Sequence, residues 1–277
     1  SSDGFDGLVI DRLDDFAFAT TTHDLVPRVA AQLEALVDDL GLRGLTLRRR
    51  AKGGRGDELY HLGEALPERL LVQEGQATAV LRIQPQSLSY GLFPDLAPER
   101  LAVAAQSQGK SVLNLYAYSG LFGIHAALGG ASRVVQVDAL KSMLAMIRAN
   151  EEANGVQTAR ICEDALLYCQ RAKRRGESFD LVIHDPPTFG RTPKGKARSL
   201  KQALTQMLAA SMAVVVDGGH LLSVVNTASL DGRAVAAHHQ SAAEQAGCRL
   251  RLIRPLTVAK DAPSALKGGW YEVHSIR

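Results

Sequence analysis

The chain changes its hydrophobic rhythm partway along. Through residue 86, short alternating stretches surround one amphipathic segment; from Ser111 onward, apolar runs alternate with segments of helical period. In GLVIDRLDDFAFATTT, apolar and polar side chains alternate on either side of Leu13–Asp15, which predicts two strands joined by a turn. DLVPRVAAQLEALVDDLG has a helical period, with Asp24 expected to cap the helix, Pro27 in its first turn and Gly41 as its stop. Further strands are expected near Leu45–Arg50, Glu58–Leu62 and Ala77–Ile83. Residues 1–86 are therefore expected to form a small α+β domain, with the boundary in the Gln84–Ser89 stretch around Pro85.

Residues 87–277 predict a second, larger domain. Its strands are SVLNLYA, RVVQVD, TARIC, FDLVIHD, GHLLSVV, CRLRLIR and WYEVHSI. Between the first six lie helical segments at Leu121–Leu128, Lys141–Asn154, Ala165–Arg174, Leu200–Val216 and Arg233–Ala246. Continuous apolar strands separated by helices make a parallel sheet covered on both faces. No helix separates the last two strands, so these should form an antiparallel hairpin. The expected fold class is α/β: a Rossmann-like sheet of six parallel strands and one antiparallel, behind a small N-terminal α+β domain.

Composition adds limits rather than shape. Apolar residues make up 46% and charged residues 22% of 277, enough to bury a sizeable core. No apolar run is long enough to span a bilayer, and SSDGFDGLVIDR lacks the basic start and apolar stretch of a signal peptide. Cys162, Cys169 and Cys248 are too few and too scattered for a disulfide framework or a metal site, which suits a reducing cytoplasm. The missing initiator Met suggests processing or trimming ahead of Ser1. The net charge is only +3, but cations cluster at Arg48, Arg49, Arg50, Lys52 and Arg55, at Arg171–Arg175, and at Arg191, Lys194, Lys196 and Arg198. Any one cluster can be a solvated face; three together favour a polyanionic partner.

In a doubly wound sheet, ligands lie beyond the carboxyl ends of the strands. After the first strand comes Tyr116-Ala117-Tyr118-Ser119-Gly120-Leu121-Phe122-Gly123. Small residues admit close backbone approach, and the following helix offers free amides. A dinucleotide fingerprint would need glycine where Tyr118 stands. That glycine serves a pyrophosphate, so its absence argues against an NAD oxidoreductase and permits S-adenosylmethionine (SAM). Asp138 ends the second strand, where a carboxylate can accept hydrogen bonds from ribose hydroxyls or cap the next helix. Asp164 after the third strand can meet an adenine or cap a helix.

FDLVIHDPPTF runs off the fourth strand into the same cleft. Two prolines fix the backbone and remove amide donors, so carbonyl oxygens and the Asp185 carboxylate present acceptors to an amino group or ring nitrogen. Phe189 can stack on a base outside its helix. The catalytic candidates are Asp185, Pro186, Pro187 and Phe189. His184 alternates within a buried strand and is expected to be a core histidine. The cations of GRTPKGKAR can hold a nucleic-acid backbone beside the site.

These motifs carry a family resemblance. VLNLYAYSGLFGIHAALGGASRVVQVD and FDLVIHDPPTFG resemble the cofactor and catalytic motifs of the bacterial large-subunit ribosomal RNA methyltransferases that include cytosine-5 and guanine-N7 enzymes. GLVIDRLDDFAFATT and GDELYHLGEALPERLLV are similar to that family's middle domain, SLSYGLFPDLAPER to the linker beside its SAM pocket, and DAPSALKGGW to its last turn. Its N-terminal PUA-like domain has no counterpart in these residues. The resemblance implies Tyr90, Phe93, Asp95 and Arg100 as pocket residues. They join Asn114, Tyr116, Tyr118, Ser119, Gly120, Asp138, Ala139, Asp164, Ala165 and Asp185 as the expected cofactor set. Arg48, Arg49, Arg50, Arg191, Lys194 and Lys196 are the expected RNA contacts. Cytosine-5 members place a thiolate after the fifth strand, where this chain reads SVVNTAS, with Asn226 at or near that position. The expectation is therefore a SAM-dependent enzyme methylating a base nitrogen of structured, ribosomal RNA, with no metal and no membrane. A methyltransferase of a small molecule or protein, and a non-catalytic RNA-binding protein that retains the fold, are the alternatives.

Overall fold

The computed structural model describes residues 7–24, 27–50, 57–83, 89–191, 197–259 and 265–276. Two compact units emerge: Ser1–Glu74 with Thr78–Pro94, and Gly75–Ala77 with Asp95–Arg277. The boundary expected at Gln84–Ser89 falls on residues that, Ser89 apart, lie outside those described.

The first unit holds β1 (Leu8–Leu13), β2 (Phe16–Thr21), α1 (Pro27–Asp39), β3 (Gly44–Arg49), β4 (Glu58–Gly63), β5 (Arg69–Glu74) and β6 (Ala77–Arg82), whose first residue is counted with the second unit. Strands β1 to β4 form a sheet in sequence order, with the β2–β3 pair parallel and its neighbours antiparallel. The parallel step needs a crossover, and α1 supplies it. Leu33 and Val37 of α1, with Leu42 just beyond, pack on Ala17, Ala19, Leu45 and Leu47. Strands β5 and β6 pair as a separate ribbon. Strand β5 is not among the strands that alternation predicts, because RLLVQE has three apolar residues in a row. The Asp24 carboxylate pairs with Arg49, and the residues between it and Pro27, where the expected cap would act, lie outside the described residues.

The second unit begins with a short 3-10 turn, Pro94–Leu96, and α2 (Ala97–Gln106). Then follow β7 (Ser111–Leu115), α3 (Leu121–Leu128), β8 (Arg133–Asp138), α4 (Lys141–Asn154), β9 (Ala159–Cys162), α5 (Ala165–Arg174) and β10 (Phe179–His184). The chain ends through β11 (Phe189–Arg191), β12 (Ala197–Ser199), α6 (Leu200–Met212), β13 (Val215–Asn226), α7 (Gly232–Ala246), β14 (Cys248–Pro255) and β15 (Leu266–Ser275). Seven of these strands form one sheet in the order β14-β15-β13-β10-β7-β8-β9. Every pair from β13 to β9 is parallel, whereas β15 runs antiparallel to both neighbours. The reversed strand thus lies one place in from the edge, between β13 and β14.

Helices α5, α6 and α7 cover one face through Tyr168, Leu204, Leu208 and Val235, among others. On the other face, Leu96, Val103 of α2, and Phe122 and Ala126 of α3 pack on Val112, Leu181 and Leu222. Helix α6 stops at Met212 rather than Val216 because Val214, Val215 and Val216 are β-branched and prefer extended backbone; Val215 already pairs with Phe179.

Glu99 ties α2 to the reversed strand. Fully buried, it accepts hydrogen bonds from Arg254 (2.8 and 2.7 Å), from Trp270 Nε1 (2.6 Å) and from the Thr257 amide. Burial raises its pKa, but these donors outweigh that and leave it lowered. Gly129 sets how closely α2 and α3 approach. A Cβ there would stand 2.1 Å from the Ala104 carbonyl oxygen, which is backbone and cannot swing aside. Gly129→Ala is expected to lower unfolding free energy by about 1–3 kcal/mol, read by thermal denaturation; an unchanged melting temperature would contradict this packing.

Candidate active site

The strand order reverses direction between β7 and β10, the place where open α/β sheets leave a crevice. Register fixes what emerges there. Leu115 pairs with His184 and with Val137, so Tyr116, Asp185 and Asp138 come off neighbouring strand ends side by side.

The turn after β7 is unusual in its backbone. Tyr116, Tyr118 and Gly120 have φ of 57°, 52° and 80°, all left-handed. Left-handed tyrosines cost roughly 1–2 kcal/mol each and persist only where neighbouring structure enforces them. Gly120 relieves the third position, and a Cβ there would also meet Ile147 at 2.8 Å. Asp138 enforces the second: its Oδ2 accepts from the Tyr118 amide at 2.9 Å, and its Oδ1 from Leu140 at 3.0 Å. With the Ala139 amide as a third backbone donor, the carboxylate still keeps a lone pair for a further donor. Burial raises the Asp138 pKa against these bonds. Helix α3 then starts on Gly120 with no side chain capping it, so its first amides are available to a ligand.

Beneath the turn, Asn114 is buried and donates to Gln136 Oε1 at 3.0 Å, while Gln136 donates to Thr158 at 3.1 Å. Asn114 was expected among the cofactor contacts; its side-chain amide is engaged by Gln136. Gln136 was not anticipated, and its only signal was a polar residue inside the apolar run RVVQVD. Asp164 takes the capping role left open for it, accepting from Leu167 at 3.1 Å. Ala165 packs into the core, Ser119 is buried, and Ala139 is exposed.

After β10, Asp185 is half-buried, Pro186 buried and Pro187 exposed. Burial, and next the charge of Asp95, push the Asp185 carboxyl up to about 7, with Arg100 opposing. Asp95 and Arg100 therefore share an electrostatic environment with Asp185. Arg100 is itself buried, with its guanidinium 5.9 Å from the Phe122 ring. Thr188 donates to the Asn226 carbonyl at 2.7 Å, joining the proline turn to the end of β13. Phe189 and Arg191 form β11, which pairs with β12 to make a ribbon at the base of the glycine-proline loop. The side chains of Phe189 and Arg191, and all of Lys194 and Lys196, lie outside the described residues. His184 is a core residue, as expected: fully buried, bonded through Nδ1 to Ser211 at 2.9 Å, and pushed down to about 3 by burial and His239.

In the first unit, Tyr90 is buried, donates to Asp11 at 2.8 Å and meets Phe18 edge-on, while Phe93 is exposed. Arg48 was expected to meet RNA, but it is 1% exposed and lies over the Phe18 ring, because alternation puts it on the sheet face that carries Phe18, opposite Leu45 and Leu47. Arg49 is bonded to Asp24 and Glu58, and Arg50 is exposed. Among the described residues no cluster suits a metal ion, and no helix is long and apolar enough to cross a membrane.

The sheet, with its single reversed strand one in from the edge, has the architecture of the Rossmann-like methyltransferase fold. Comparison with known proteins narrows this: the chain belongs to the S-adenosylmethionine-dependent methyltransferase family, whose model matches residues 41–264. The ribosomal RNA large subunit methyltransferase I of Photobacterium profundum is 31% identical over 287 residues, covering 98% of this chain and 70% of the relative. The methyltransferase K/L of Alcanivorax borkumensis is 39% identical over 156 residues, covering 55% of this chain; the match spans only 21% of that longer protein. A putative SAM-dependent methyltransferase from Streptococcus mutans shares the fold with TM-score 0.84 at 21% identity, over 98% of this chain and 73% of the other. A putative methyltransferase complexed with SAH does so with TM-score 0.82 at 23% identity, over 98% and 72%.

Proposed function

We propose that this protein methylates a nitrogen of a base in structured RNA, with ribosomal RNA as substrate, in the cytoplasm. The observation that carries this reading is the Asp185-Pro186-Pro187 turn. It emerges beside the glycine turn with a carboxyl that titrates near neutrality. SAM, when bound, supplies a methyl group on a positively charged sulfonium. The residues present suit it: Asp138 has a lone pair for a ribose hydroxyl, and the Tyr118–Gly120 turn and uncapped α3 offer close-lying backbone without a pyrophosphate cradle. Asp185 and the carbonyls of the proline turn accept hydrogen bonds from the target base, and Asp185 takes up the proton of its amino group.

The cysteines support nitrogen rather than carbon 5 as the acceptor. Carbon-5 transfer needs a thiolate against the ring. Burial pushes the Cys169 thiol up to about 12, Cys248 is buried at the start of β14, and Cys162 lies at the tip of β9. Asn226 is exposed at the end of β13. RNA as substrate rests on the likeness to ribosomal RNA large subunit methyltransferases and on the exposed cations. These include Arg50, and Lys173, Arg174 and Arg175 at the end of α5.

RNA affinity measured between about 50 and 200 mM salt is expected to fall with a log–log slope near −0.7 to −0.9 per phosphate contacted. A flat dependence would remove RNA in favour of a small acceptor. Mass mapping of nucleosides in RNA from cells lacking the protein should then show loss of one methylated base.

A further inference from the structure

Helix α4 carries a buried asparagine that none of the foregoing chemistry uses. Asn150 is 0% exposed, and its Nδ2 donates to the Ser119 carbonyl at 2.8 Å and, more weakly, to Met146 O at 3.3 Å. Asparagine is a poor helix former, so its place inside α4 asks for a reason. Ser119 sits between the left-handed Tyr118 and Gly120 and is itself 4% exposed, so water cannot readily substitute for the amide. The other end of the same peptide is held too, because the Gly120 amide donates to Ala117 O at 2.7 Å. One residue earlier, Asp138 holds the Tyr118 amide. The turn is thus gripped at three points, and Asn150 is the grip farthest away in sequence.

We infer that Asn150 is a positioning residue for the cofactor: by pinning the Ser119 carbonyl it keeps the turn after β7 in its binding shape before SAM arrives. The inference rests on SAM lying against that turn. Without the amide, a buried carbonyl loses its donor, and the turn must be reordered at the expense of binding.

The test compares Asn150→Asp, equal in size but with an acceptor facing an acceptor, with Asn150→Ala and with Arg148→Ala, an exposed change on the same helix. Calorimetry with SAH, well below the melting temperature, should show affinity reduced roughly tenfold to hundredfold in both Asn150 variants and unchanged in Arg148→Ala. Steady-state kinetics should show KM for SAM raised by a similar factor, with kcat at saturating SAM retained. A space-filling role would spare Asn150→Asp. Wild-type SAH affinity in both Asn150 variants, kcat lost with KM unchanged, or failure of both to fold would each overturn the inference. Asp138→Ala run alongside separates the two ideas: if it too binds SAH normally, the placement of the cofactor is at fault.

Discussion

Asp185→Asn is expected to slow methyl transfer by roughly 10²–10⁴-fold while SAH affinity stays within about twofold. The substitution keeps shape, but it removes the ability to take a proton and turns one acceptor oxygen into a donor. Burial and Asp95 hold the carboxyl near 7, against Arg100. Its ionised fraction therefore falls about tenfold for each pH unit below that value, and the wild-type rate should rise with pH and level off above about 7. The asparagine variant should lack this limb. Stability carries the opposite sign. A carboxyl whose folded pKa is raised stabilises the fold below its unfolded pKa, and that contribution is lost as pH rises through about 7. Above that pH the variant should melt no lower than wild type, so lost activity cannot be blamed on misfolding. Single-turnover transfer measured from about pH 5 to 9, with melting curves at each pH, checks both. A variant retaining most of the rate would exclude Asp185 as proton acceptor.

Much of the fold could be read from the chain because its strands and helices follow different periods. The apolar runs at Val112–Leu115, Val134–Val137 and Leu181–Ile183 are buried on both faces, and such strands are legible without partners. Elements whose pattern was ambiguous were lost or misplaced. RLLVQE is a strand only because β6 folds back on it, and Val214–Val216 looks like the end of α6 until β10 claims it. That β15 inserts between β13 and β14 was not legible either, since order across a sheet depends on long-range pairing.

The site divides in the same way. The placing of Asp138 and Asp185 at neighbouring strand ends was legible because each closes an apolar run, where side chains leave the core. What surrounds them was not. Arg48 belongs to the string Arg48-Arg49-Arg50, yet alternation on β3 sends it onto the Phe18 ring while Arg49 reaches Asp24 and Glu58. Asn114, the penultimate residue of β7, is buried and spends its side-chain amide on Gln136. Asp95 and Arg100 came only from a family resemblance; their electrostatic link to Asp185 spans some ninety residues of chain, which no local pattern encodes.

Asp138→Ala is expected to weaken SAH binding by roughly 10²-fold or more. Two effects act together. A ribose hydroxyl loses a charged acceptor, worth about 1.5–3 kcal/mol per hydrogen bond. The Tyr118 amide also loses its partner, releasing a left-handed residue from the contact that enforces it. Asp138→Asn should separate the two. Its amide can turn only one acceptor toward the Tyr118 and Leu140 donors, so it should retain part of the affinity that alanine forfeits. Burial raises the Asp138 pKa, so affinity in the wild type should fall as pH drops through that raised value, and this fall should vanish in Asp138→Ala. Calorimetry with SAH across pH reads all three. Undiminished affinity in the alanine variant would remove Asp138 from the site, and with it the argument that a left-handed turn and one carboxylate together hold the nucleoside.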